Sequence, residues 1–206
     1  MIVPADMKRH VQKVLDGEYD VPIEFEGPVD VIDVGANVGA FAVWASKRWP
    51  VRNVLCIEPH PDTFRTLEEN TRDIPVDGDV GHVQAAVTWD AIEARLYLGK
   101  NNIGENSLHR DLGEQSDEYV VVPRLDPREM PRCQILKVDC EGSEVVVLKG
   151  YRFLHGVQLV LLETHGEDRR RTCDDILFRN GFAMVMAKAN CLDRAVFGYI
   201  NRSRVK

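Results

Sequence analysis

The sequence predicts an α/β domain built on a mostly parallel sheet, and three observations carry that prediction. Short apolar runs rich in β-branched residues alternate with segments of helical period along most of the chain. Two of those runs end in a glycine-bearing turn or an acid followed at once by a helix. The composition, with 44% hydrophobic and 29% charged residues over 206 positions, is that of a globular chain long enough to bury a core.

The elements follow in order. Residues 1–28 read as an N-terminal helical arm ahead of a domain over 29–206. The run VDVIDV at 29–34 is the first strand, and a helix after Gly35-Ala36-Asn37-Val38-Gly39 should continue to Trp49, where Pro50 stops it. A second strand at 53–57 leads into a helix opening at Pro61, a favoured first-turn residue. Phe64, Leu67, Thr71 and Ile74 share one face of it. Residues 81–87 read as a third strand and 94–98 as a strand of a following hairpin, returning at 119–125. The polar stretch between them, 100–118, reads as a long loop or lid. A further parallel strand at 134–138 precedes a short helix at 143–149, capped by Ser143 and stopped by Gly150. A buried strand at 158–162, a helix at 169–180 closed by Gly181, and a hairpin of 182–187 with 195–201 complete the chain.

Composition excludes several classes. The chain carries 26 Lys and Arg against 33 Asp and Glu, a net charge of −7, which disfavours a nucleic-acid sleeve. No apolar run approaches the roughly 20 residues that span a bilayer, and the first residues show no secretory pattern. Five cysteines, an odd number without a CxxC pair, suit a reducing compartment and offer no zinc-finger spacing. A soluble, cytoplasmic protein is the expectation, with its oligomeric state open.

The first loop indicates a ligand. Its spacing is G-x-x-x-G behind Asp33, not the G-x-G-x-x-G that cradles a pyrophosphate, and an acid there would repel phosphate. Asp33 suits a ligand bearing an ammonium group, such as the methionine part of S-adenosylmethionine (SAM). Gly35 lets the backbone turn and approach a ligand, and Gly39 permits close packing of helix on strand. Glu58, ending the second strand, can accept hydrogen bonds from both hydroxyls of a ribose.

A second group gathers on the later strands. Asp139 and Glu141 crowd one strand end, where two acids repel unless a cation sits beside them. Glu144 is either a solvated first-turn acid or part of the site. Glu163 and His165 close the next strand. His165 is either a structural residue or a base, and Glu163 either orients it or faces substrate. The set Asp139, Glu141, Glu163 and His165 has the oxygen and nitrogen for a divalent metal, but its spacing is not diagnostic and no metal is assigned. Arg169-Arg170-Arg171, the one basic run, reads as a solvated helix start, with a contact to an anionic acceptor such as a nucleotide-sugar phosphate as the alternative.

These residues together resemble the FkbM family of SAM-dependent methyltransferases, over about 29–165. The resemblance rests on VIDVGANVGAF (31–41), CIEPHP (56–61), RLD (124–126), LKVDCEGSEVVVLKG (136–150) and LVLLETHG (159–166). It implies a Rossmann-like, class I methyltransferase fold: a seven-stranded, mostly parallel sheet with helices on both faces and an antiparallel last strand. It further implies O-methylation of a hydroxyl on a sugar, polyketide or other small natural product. On that resemblance Asp33, Gly35, Asn37 and Gly39 would hold the methionine part of SAM. Glu58 would take the ribose, and Pro59 and His60 would flank the adenosine. Asp139, Glu141 and His165 would lie at the transfer site, Asp139 also touching the cofactor. The expectation for the chemistry is His165 or Asp139 as base, with Glu141 holding the acceptor hydroxyls. The third strand offers no acid for the adenine, which leaves backbone near Ala86 or the loop residues Asn106 and Ser107. A non-catalytic SAM-binding partner, and a nucleic-acid methyltransferase, are the alternatives.

Overall fold

The computed structural model describes residues 1–89, 93–100, 105–109, 115–191 and 194–204. Ten strands and five α-helices lie in these residues: α1 (Lys8–Leu15), β1 (Val29–Val34), α2 (Ala40–Arg48), β2 (Val51–Ile57), α3 (Pro61–Thr71), β3 (Val80–Val83), β4 (Ala86–Val87), β5 (Glu93–Gly99), β6 (Gln115–Leu125), β7 (Ile135–Val138), α4 (Glu144–Gly150), β8 (Leu159–His165), α5 (Glu167–Arg179), β9 (Phe182–Cys191) and β10 (Arg194–Asn201). Seven strands form the main sheet in the order β3-β2-β1-β7-β8-β10-β9. All neighbours are parallel except β10, which runs antiparallel to both β8 and β9. This is the seven-stranded Rossmann-like sheet expected.

Strands β7 and β8 are buried throughout, and β1 is buried at all but one residue, because helices cover both faces of the sheet. Val31, Val54, Ile135 and Leu161 pack on one face with α1, α2 and α3. Ile32, Val34, Leu136 and Leu162 pack on the other with α4 and α5. The 1–28 segment takes part in the first of these cores: Met7, Val11, Val14, Tyr19, Val21 and Ile23 are all buried in it. No helix among the described residues is long and apolar enough to cross a membrane.

Sequence order runs outward from β1 in one direction and from β7 in the other, so the switch point lies between these two strands. The turns leaving them meet there. Asp139 N–H donates to Val34 O at 3.0 Å, and a Cβ built on Gly35 would stand 1.7 Å from Asp139 O. With φ at +74° as well, no side chain fits at this position, and the loop stays bare above the strand ends.

Four local expectations are corrected. The third strand is two strands: β3 pairs with β2, while β4 leaves the sheet and pairs with β6 in a separate three-stranded sheet with β5. A single apolar run does not say which partner each half finds. Residues 115–118 belong to β6, and Ser107 bridges Tyr97, so these parts of the 100–118 stretch are structured; 101–104 and 110–114 lie outside the described residues. Gly150 is the last residue of α4 rather than its stop, and it is glycine because a Cβ would meet Pro127 Cγ at 2.3 Å. Ser143 holds the N-cap position without a capping hydrogen bond; its hydroxyl lies 3.3 Å from His109 Nε2.

Candidate functional site

A cavity of about 400 Å³ opens over the switch point. From the predicted set, Gly35, Asn37, Glu58, Pro59, Ala86, Asp139 and Glu141 line it, together with Glu163. Asp33, Gly39, His60 and His165 do not, and the geometry shows what each does instead.

Asp33 is wholly buried, and its Oδ1 lies 3.0 Å from Lys137 Nζ. Burial pushes the Asp33 carboxyl up while Lys137 pulls it down; the lysine is itself held charged against its burial by Asp33 and Asp139. Lys137 Nζ also donates to Gly35 O at 2.7 Å and stands 3.6 Å from Asp139. The acid expected to meet the ligand's ammonium is thus the anchor of a buried cation beneath the loop. Gly39, at φ +86°, admits α3 rather than a strand: a Cβ there would stand 2.6 Å from Thr71 Cγ2 and 2.9 Å from Leu67 Cδ1. His60 caps α3, its Nδ1 accepting from Thr63 N–H.

Glu58 faces the cavity. One carboxylate oxygen accepts from Asn37 N–H at 3.0 Å and the other from His60 N–H at 2.9 Å. Asn37 reaches this position through a left-handed backbone, φ +51°. Each carboxylate oxygen has a second lone pair, so the group keeps acceptor capacity for a diol such as a ribose edge. Burial pushes Glu58 up to about 7, partly offset by those two backbone donors. Beside it, Ala85, Ala86 and Val87 with Leu96 and Leu108 form an apolar wall, and Asn106 adds an amide. Bare loop, diol acceptor and apolar wall fit an adenosyl group.

The other end of the cavity is acidic. Asp139 accepts from Tyr19 OH at 3.3 Å; burial opposes its charge, but Lys137 and then His165 keep it below the usual range. Glu141 has a left-handed backbone, φ +49°, a strained conformation that needs support from its surroundings. Burial pushes its carboxyl up to about 7, against the pull of His165. Burial, and next the charge of Asp139, raise Glu163 to about 8.

His165 sits behind these acids, 4% exposed. Its Nε2 is 3.0 Å from Glu141 and its Nδ1 3.2 Å from Glu144. Burial works against the charged ring, but the two carboxylates outweigh it and raise the group to about 11. An imidazolium so held has no lone pair to offer, which departs from the base expected there. Glu144 is accordingly no solvated helix acid but fully buried, its carboxylate also accepting from Gly142 N–H at 2.8 Å. Ligand atoms of Asp139, Glu141 and His165 lie within 4.8 Å of one another, close enough for a metal, but the proton on His165 competes with one.

Sequence reasoning missed Lys137 and Tyr19, and left Glu144 open between a solvated acid and a site residue. Lys137 was readable as a cation between two apolar strand residues; Tyr19 acts across a distance in sequence that carries no local pattern.

Comparison with known proteins gives a family, two relatives in sequence and one in structure. The family described as "Methyltransferase FkbM domain" matches residues 33–182. "Methyltransferase 1" of Beauveria bassiana is 26% identical over 87% of this chain and 82% of its own length. "Hexuronic acid methyltransferase AglP" of Haloferax volcanii is 32% identical over 73% of this chain; the match spans 64% of that protein, under two thirds of its length. Among solved structures, fibrillarin of Aeropyrum pernix, crystallised with natively bound SAM, superposes with a TM-score of 0.52 at 12% identity, covering 93% of this chain and 74% of that one. That last likeness concerns the fold.

Proposed function

The chain belongs to the FkbM methyltransferase family, and from that premise we propose that it transfers the methyl group of SAM to a hydroxyl oxygen of a small acceptor, a sugar or similar natural product. One observation carries this reading: a single cavity joins a diol-accepting carboxylate, Glu58, to a group of acids at the switch point. The Haloferax relative, named for a hexuronic acid, supports a carbohydrate acceptor.

SAM, when bound, supplies an electrophilic methyl carbon. Glu58 would hold the ribose, the bare loop at Gly35 and Asn37 the amino-acid part, and the wall at Ala85–Val87 the adenine. The remaining residues serve the acceptor. A hydroxyl must lose its proton as its oxygen attacks, to a group that titrates near neutrality. Glu141, raised to about 7, meets that need. Asp139, kept below the usual range, is the weaker base and stays a fixed negative charge. Glu163, raised to about 8, is mostly protonated at neutral pH and can donate a hydrogen bond to the acceptor. His165 holds Glu141 in place from behind.

The test is methyl transfer to a panel of neutral and acidic sugars, read by mass spectrometry as one added CH2. Glu141→Gln should lower kcat by about 10²-fold or more while SAM affinity stays within about threefold. Unchanged turnover in that variant would remove Glu141 from the chemistry. SAM binding without transfer to any acceptor would favour a non-catalytic SAM-binding partner, and loss of turnover in chelator restored by Mg²⁺ would restore the metal reading.

A further inference from the structure

We propose that Arg9 and Lys13, on helix α1, form a carboxylate-binding subsite at the rim of the cavity. The inference rests on the reading of the cavity as a SAM site and extends it to the charge that this site has still to meet. The amino-acid part of SAM is a zwitterion. Its ammonium group meets the fixed negative charge of Asp139 at the switch point, beside Glu141 and Glu163, which face the acceptor. Its carboxylate would find only repulsion there. Among the described residues that line the cavity, Arg9 and Lys13 are the two full cations. His10 between them is no third: burial lowers its pKa below 6.5, although Asp139 and Glu18 pull the other way.

The helix is built to hold these two side chains in place. Arg9 and Lys13 are four residues apart and so share a face. Met7, Val11 and Val14 bury the adjacent face in the core, which fixes the helix about its axis. Neither cation makes an ion pair among the described residues, although Asp6 lies on the same wall. Both are exposed on their outer side, so an arriving anion need not displace a buried partner. The carboxylate has two sources, the methionine part of SAM itself and an acidic acceptor such as a uronic acid, and the same cations could serve either.

Calorimetry on the full chain separates the sources. The probes are SAM, its decarboxylated analogue, and glucuronate against glucose on protein loaded with S-adenosylhomocysteine. If the carboxylate is the cofactor's, Arg9→Gln with Lys13→Gln weakens SAM by about tenfold or more and leaves the decarboxylated compound unchanged. If it is the acceptor's, SAM affinity holds and the preference for glucuronate over glucose is lost. Either result supports the subsite. Unchanged affinity for SAM together with unchanged sugar preference overturns it. Failure of the unaltered chain to bind either adenosyl compound overturns the cofactor reading, and this proposal falls with it.

Discussion

His165 shows what a single residue's neighbours decide. Its place at the end of a strand was legible, since LVLLETHG ends an apolar run with polar residues. Its partner Glu144 comes from the helix after the preceding strand, 21 residues earlier, and nothing in the spacing announces that contact. Removing the ring leaves Glu141 and Glu144 buried without their cation, so His165→Gln should cost about 3–5 kcal/mol at mildly acidic pH. The sign of the pH dependence follows from linkage. A histidine raised from 6.5 to about 11 on folding contributes stability that is fully present below 6.5 and is lost as pH rises through 11. The gap between the two proteins in urea denaturation should therefore narrow steadily from about pH 6 to about pH 10. A gap that does not vary with pH would mean a neutral ring, and would return His165 to the list of bases.

At the scale of elements, the period of the sequence was enough. The strands β1, β2, β7 and β8 and the helices α2, α3 and α5 sit where apolar runs and capping residues put them, within a few residues. What periodicity lacked was partnership, as the split between β3 and β4 shows. The same gap affected Asp33. An acid before a glycine turn was read as meeting the ammonium group of a ligand, whereas the cation beside it in the structure comes from β7, the neighbouring strand: Asp33 pairs with Lys137 directly across the ladder. If the pair is an anchor between strands, each half is costly alone and dispensable together. Lys137→Met should destabilise by about 3–5 kcal/mol, and Asp33→Leu added to it should recover most of that loss. SAM affinity measured in the double variant completes the test, because a ligand role for Asp33 predicts that the stable double variant fails to bind.

For the whole molecule the governing quantity is where the negative charge lies. The excess of seven acids over bases is unremarkable by number, but Glu58, Glu141 and Glu163 share one cavity and are all raised by burial, to about 7, 7 and 8. A carboxyl raised on folding binds its proton more tightly in the folded state, so stability falls as pH climbs from the ordinary value near 4.5 to the raised one. His165 acts in the same direction from 6.5 upward, and the free chain should be most stable at mildly acidic pH. A cationic ligand reverses the preference inside the cavity, since the ionised acids attract it and Glu58 accepts ribose hydroxyls best as a carboxylate. SAM should then bind with release of protons, its affinity rising about tenfold from about pH 6 to about pH 8 while the free chain grows less stable. Calorimetry in two buffers of different ionisation enthalpy reads the proton count directly. An affinity flat across that interval, with no protons released, would place the cofactor away from these three acids and leave the cavity to another ligand.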